Sequence, residues 1–148
     1  MDKIEHAKNL FQEGYSCSQS VFSVFSVELG LDADTAMKIA SGFGGGMARM
    51  ANTCGAVTGA MMVLGLKYGS GKDKNAEIKE NLYSLIREFS RKFQLKNHSL
   101  LCRELLGYDI STPEGHQIVK ERGISAELCP QLVEDAVSIL LEIVAQEQ

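Results

Sequence analysis

An all-α fold, a single-domain helical bundle around one buried central helix, is what the sequence predicts. Three observations carry that prediction. Apolar residues recur at helical spacing in segment after segment, each bounded by a capping residue or a glycine. No stretch alternates apolar and polar residues at period 2, and none offers a hairpin turn. Residues 55–66 carry no charge, and Thr58 is their only polar side chain. A helix that is apolar all round belongs inside a protein, and this run falls short of the roughly 18 apolar residues a membrane span needs. At 148 residues the chain suits one domain, spanning 1–148 and burying roughly 68–70% of its unfolded surface.

The elements follow in order. Ile4, Ala7, Leu10 and Phe11 predict a first helix over 2–13, with Asp2 as its cap and Gly14 beyond its end. Ser16 caps a second helix carrying Cys17, Val21, Val24, Phe25 and Leu29, which Gly30 closes. Asp32 caps a short third helix through Ala36, Ile39 and Ala40, ending at Gly42. A glycine-rich loop comes next, with Gly42, Gly44, Gly45 and Gly46 ahead of Met47 and Arg49. Glycine serves where φ is positive or a backbone approaches closely, so this loop should need one or the other.

Asn52 and Thr53 are good capping types and place Cys54 in the first turn of the central helix, 54–68, which Gly69 ends. Gly55 and Gly59 share one face of it, where a neighbouring backbone can pack closely. Residues 72–95 form a long helix with Leu82, Leu85, Phe89 and Phe93 inward and Glu77, Glu80, Arg87 and Arg91 on a solvated face. Ser99 begins a short helix holding Cys102, closed by Gly107. Thr112 and Pro113 start another, which Gly123 ends. The last helix opens at Cys129 and Pro130 and buries Leu132, Val133, Ala136, Val137 and Leu140.

Charge and composition exclude some classes. The net charge is −4, with 23% charged and 45% hydrophobic residues, and no Lys/Arg stripe forms, so nucleic acid is not an expected partner. No membrane partner is expected either. The N-terminus, Met-Asp-Lys-Ile-Glu-His, lacks the apolar core of a signal peptide, which points to the cytoplasm. Thiols stay reduced there, and a cysteine set is more often catalytic or metal-binding than a disulfide framework.

The four cysteines, Cys17, Cys54, Cys102 and Cys129, are widely spaced and form no Cys-x-x-Cys pair. Any site they share must be assembled by the fold. Cys17, Cys54 and Cys129 each fall at a predicted helix start, where free N–H groups and the dipole favour a thiolate. Gly44, Gly45, Gly46 and Arg49 could cradle a phosphate, though they match neither of the glycine-rich nucleotide motifs, and close packing explains the glycines as well. Met37, Met47, Met50, Met61 and Met62 are thioethers of the kind that bind Cu(I), but methionine ordinarily fills irregular core space. His6, His98 and His116 are scattered; His98 lies near Cys102 in sequence, yet an exposed loop histidine is the better expectation.

Gly14-Tyr15-Ser16-Cys17, Gly42-Phe43-Gly44-Gly45-Gly46-Met47, Cys54-Gly55-Ala56-Val57-Thr58-Gly59, Cys102-Arg103-Glu104-Leu105-Leu106-Gly107 and Cys129-Pro130 together give the chain its pattern. In this it resembles the redox-active protein family named C-GCAxxG-C-C. The likeness runs from the first helix to the last. Gly precedes Cys in the family's name, whereas here Cys54 precedes Gly55, with Ala56 and Gly59 in register. The resemblance implies a small helical protein with redox-active cysteines and supplies no substrate.

Three functions are therefore in play. The first is a thiol–disulfide or electron-transfer protein, an oxidoreductase if it turns over a substrate, in which Cys54 is the low-pKa thiolate and Cys17, Cys102 or Cys129 its resolving partner. The second is a cysteine-ligated centre, with Cys17, Cys54, Cys102 and Cys129 as ligands of an iron–sulfur cluster or of zinc. The third is a helical binding or assembly module whose cysteines are merely core. The redox partner is unknown, and the apolar helices could also bury a homodimer interface.

Overall fold

The computed structural model describes residues 2–147; Met1 and Gln148, the ends of the expected 1–148 domain, lie outside the described residues. Among those described, the fold is all-α: α1 (Lys3–Gln12), α2 (Cys17–Ser26), α3 (Ala33–Ala40), a 3₁₀ turn (Ser41–Phe43), α4 (Gly55–Tyr68), α5 (Ala76–Asn97), α6 (Cys102–Leu106), α7 (Pro113–Glu121) and α8 (Ile124–Gln146). None of these helices is long and apolar enough to cross a membrane.

Local chemistry sets most of the starts. Asp2, Asp32, Asn75 and Thr112 each accept a hydrogen bond from the backbone N–H three residues on. Ser16 and Gln19 form a reciprocal capping box at the head of α2. α2 ends at Ser26, four residues before Gly30, and a turn carries the chain to that glycine.

The core is one continuous cluster. The head of α4, from Gly55 to Ala60, is buried on every side, as its uncharged sequence requires, while Leu66 and Lys67 at its far end reach solvent. α4 packs on α2, α5 and α8. The centre is shared, however, because α8 touches α1, α2, α4, α5, α6 and α7. Leu132, Val133, Ala136, Val137, Ile139, Leu140 and Ile143 of α8 are all buried. Phe89 and Phe93 stack from α5, their centroids 6.0 Å apart.

Gly55 and Gly59 do face α2. A Cβ on Gly59 would sit 2.9 Å from the Ser18 carbonyl oxygen, and one on Gly55 would sit 3.1 Å from the Ser18 nitrogen. The two helices touch through backbone, and only glycine permits that distance.

The last helix differs from its predicted start. It begins at Ile124 rather than at Cys129, and Pro130 lies inside it. Arg122 and Gly123 join α7 to α8, and Gly123, at φ 63, is the cap of α8. Pro130 is the seventh helical residue, so it withholds one N–H from the carbonyl of Ala126 without stopping the helix.

Candidate functional site

All four cysteines line one cavity of about 120 Å³, together with Ser16, Gly45, Gly46, Gly55, Ile110 and Ser125 among others. They come from four separate segments, and the route by which each arrives is visible. Cys17 is the first residue of α2, fixed by the Ser16 capping box. Cys102 is the first residue of α6. Cys54 arrives through an isolated antiparallel bridge, Thr53 to Leu101. In that bridge Cys54 N donates to Leu100 O at 2.8 Å, and Cys102 N donates to Asn52 O at 2.7 Å. Two cysteines far apart in sequence are thus held side by side by backbone. Cys129 lies in the second turn of α8.

Three of the four therefore sit at helix N-termini, but not the three the sequence suggests. Cys102 replaces Cys129 in that role, because α8 starts earlier and α6 starts later than the caps indicated. Cys54 is itself the cap of α4, at φ −53 and ψ 137, and not a first-turn residue. Asn52 and Thr53 lie ahead of that cap, on the bridge segment opposite Leu101.

The electrostatics correct a second expectation. Burial pushes the Cys54 thiol up to about 12, and the Ala56 and Val57 N–H groups at the head of α4 offset only part of that. Cys102 is pushed up to about 11, first by burial and then by the neighbouring Cys129 and Asp109 charges. Cys17 donates its S–H to the Cys129 sulfur, which raises Cys17 and lowers Cys129. Ser125 donates to Cys129 as well. Cys129, not Cys54, is the thiol disposed to ionise first.

Ser125 is the functional residue that sequence reading missed. It stands four residues before Cys129, one helical turn away, and the signal vanishes if the helix is started at Cys129. Ile110 was missed too; it is a buried loop residue with no motif around it.

The glycine-rich loop is a strained left-handed turn. Gly45, Gly46, Met47, Ala48 and Arg49 have consecutive φ values of 65, 72, 67, 51 and 60, and Ala51 follows at 60. Left-handed backbone costs about 1–2 kcal/mol for each residue bearing a Cβ, and such strain gathers at functional sites. The N–H groups of Met47, Ala48, Arg49, Ala51 and Asn52 donate to carbonyls of residues 42–46. These amides close the turn on itself, while Gly44, Gly45 and Gly46, the residues suggested to cradle a phosphate, enter it through their carbonyls. Gly44, Gly45 and Arg49 line an open groove, and Gly45 and Gly46 also line the cysteine cavity. His98 is an exposed left-handed cap at the end of α5 and takes no part in the cavity.

What these elements define is an all-α protein built around a buried centre of four gathered cysteines, the arrangement that a cysteine-based chemistry needs and a mere binding module does not. The chain belongs to the family described as "Putative redox-active protein (C_GCAxxG_C_C)", which it matches over residues 15–143. A redox role in general follows from that membership. No curated protein and no solved structure matches the chain.

Proposed function

We propose that this protein is an electron carrier whose Cys17, Cys54, Cys102 and Cys129 thiolates hold a [2Fe–2S] cluster. The observation that carries the reading is the convergence of four cysteines on one small cavity, none of them more than 8% exposed. Four cysteines are the full ligand set of such a cluster. Exchange with an external disulfide requires the attacking sulfur to reach its target, and these sulfurs are covered. Electron transfer requires no such contact. Among the described residues no three Cys, His, Asp or Glu side chains are gathered as ligands of a single ion, so a cluster would draw the four sulfurs inward on assembly. The heads of α2, α4 and α6 bring partial positive charge to the thiolates, and hydrogen bonds to ligand sulfur tune a cluster's potential. A reducing cytoplasm suits such a centre.

The test is anaerobic purification followed by iron and acid-labile sulfide analysis, with visible absorption before and after dithionite. The expected result is about two iron and two sulfide per chain and bleaching on reduction. Colourless protein without iron or sulfide, even after reconstitution, overturns the reading. A second reading then takes over, carried by the hydrogen bond from Cys17 to Cys129. These two thiols would lose two electrons and two protons to an external quinone oxidant and form one S–S bond, which peptide mapping of the oxidised protein detects.

A further inference from the structure

Two open grooves meet outside the cysteine cavity. The larger, about 850 Å³, runs between the 41–49 loop and residues 110–116. The smaller, about 390 Å³, runs from the same loop to the junction of α7 and α8. Gly45, Arg49, Ile110 and His116 line both grooves, and Gly45 and Ile110 also line the cysteine cavity. The wall between grooves and cysteines is therefore one glycine and one isoleucine thick at these points.

The charge on this surface runs against the rest of the chain. Arg49, His116 and Lys120 line the grooves and no Asp or Glu does, although the net charge is −4. None of the ion pairs among the described residues involves Arg49 or Lys120. The hydroxyls along the rim are otherwise engaged: Ser41 donates to Lys38 O, Ser111 to the Asp109 carboxylate and Thr112 to Asp109 O. The Asp109 carboxylate also accepts from Ser111 N. The basic side chains are thus the groups left to meet a ligand. Arg49 is positioned for this by the strained turn. It sits at φ 60, and a Cβ on Gly45 would come within 2.7 Å of its Cγ, so the stem of Arg49 lies directly over the wall glycine.

We propose that the double groove binds a small molecule bearing an oxyanion, phosphate or carboxylate, with Arg49 as its principal counter-charge and Lys120 and His116 flanking it. Each groove, about 850 and about 390 Å³, lies in the range of small-molecule sites, and guanidinium is the side chain best suited to a two-oxygen anion. Binding does not depend on what the cysteines hold. Only a second effect rests on the redox reading: an anion one wall away disfavours an added electron and lowers the centre's reduction potential.

The test is calorimetric titration of the anaerobically purified full chain with pyrophosphate and, separately, with citrate at low salt. Saturable binding is expected. Arg49→Gln should weaken it roughly tenfold or more, the loss expected for one charged hydrogen-bonding pair. Lys120→Gln and His116→Gln should weaken it less, and Arg91→Gln on the solvent face of α5 not at all. Tighter pyrophosphate marks a phosphate ligand, and tighter citrate marks a carboxylate. No saturable binding of either probe, or binding unmoved by all three groove variants, overturns the site. If Arg49→Gln unfolds by circular dichroism, the Lys120 and His116 variants decide. Binding without any shift in potential leaves the site standing and counts against the redox centre instead.

Discussion

At Cys129 two donors, the Cys17 S–H and the Ser125 hydroxyl, outweigh burial; at Cys54 burial outweighs two backbone amides. The difference lies in geometry. A cysteine in the second turn of α8 can be reached by the serine one turn earlier, whereas a capping cysteine meets its own helix and a dry core. In reduced, metal-free protein near neutral pH, Cys129 should therefore be alkylated first and Cys54 later than Cys102, read by peptide mass spectrometry over an iodoacetamide time course. Ser125→Ala removes a donor to the thiolate and should slow Cys129 several-fold while leaving Cys54 unchanged. Fastest reaction at Cys54 would show that the helix-head amides dominate after all. The sequence could not reveal this order. Asn52 and Thr53 look like the caps of α4, and nothing local says that Leu101, almost fifty residues on, takes Thr53 into a backbone bridge.

Between elements, the contact of α2 with α4 brings the Cys17 end of one helix to the Cys54 end of the other. Gly59→Ala would force a Cβ to 2.9 Å from the Ser18 carbonyl, so overpacking should cost about 1–3 kcal/mol. Gly65 lies on the same helix with no atom within 4 Å of an added Cβ, so Gly65→Ala should stabilise by roughly 0.4–1 kcal/mol. Urea midpoints of the two variants check both signs, and a neutral Gly59→Ala would mean that the helices can part without penalty. This contact was legible in sequence because the Gly-xxx-Gly spacing and the absence of charge are local. The caps Asp2, Ser16, Asp32 and Thr112 were legible for the same reason. The start of α8 was not, since Pro130 signals a helix start most strongly when it is the first helical residue, and here a helix runs through it. Nor was the left-handed run from Gly45 to Arg49. Its glycines announce freedom, but positive φ at Met47, Ala48 and Arg49 is imposed by the hydrogen bonds that fold the loop back on itself.

For the whole molecule, the consequence of gathering four thiols in one core is a pH dependence that reverses with occupancy. In the metal-free chain Cys54 titrates near 12 and Cys102 near 11, against an ordinary 9.0, and Cys17 is raised as well. The folded state then holds more protons than the unfolded state between about pH 9 and 12. Stability therefore falls as pH rises through that window and is fully present below it. Cys54 alone accounts for at most about 4 kcal/mol of this, from three pH units at 1.36 kcal/mol each. Cys129, lowered, contributes stability that builds as pH rises toward 9 and stays present above it, so the net decline should begin above that point. A bound cluster inverts the sign, because its ligands must be thiolates and binding releases their protons. The loaded protein should thus hold its melting temperature from pH 7 to 10.5 and lose its cluster on acidification, while the metal-free protein melts earlier with each alkaline step. Cys54→Ser, whose hydroxyl does not titrate in this range, should flatten the alkaline decline of the metal-free form. Parallel curves for the two forms would mean that the buried thiols keep their protons in both and bind no metal.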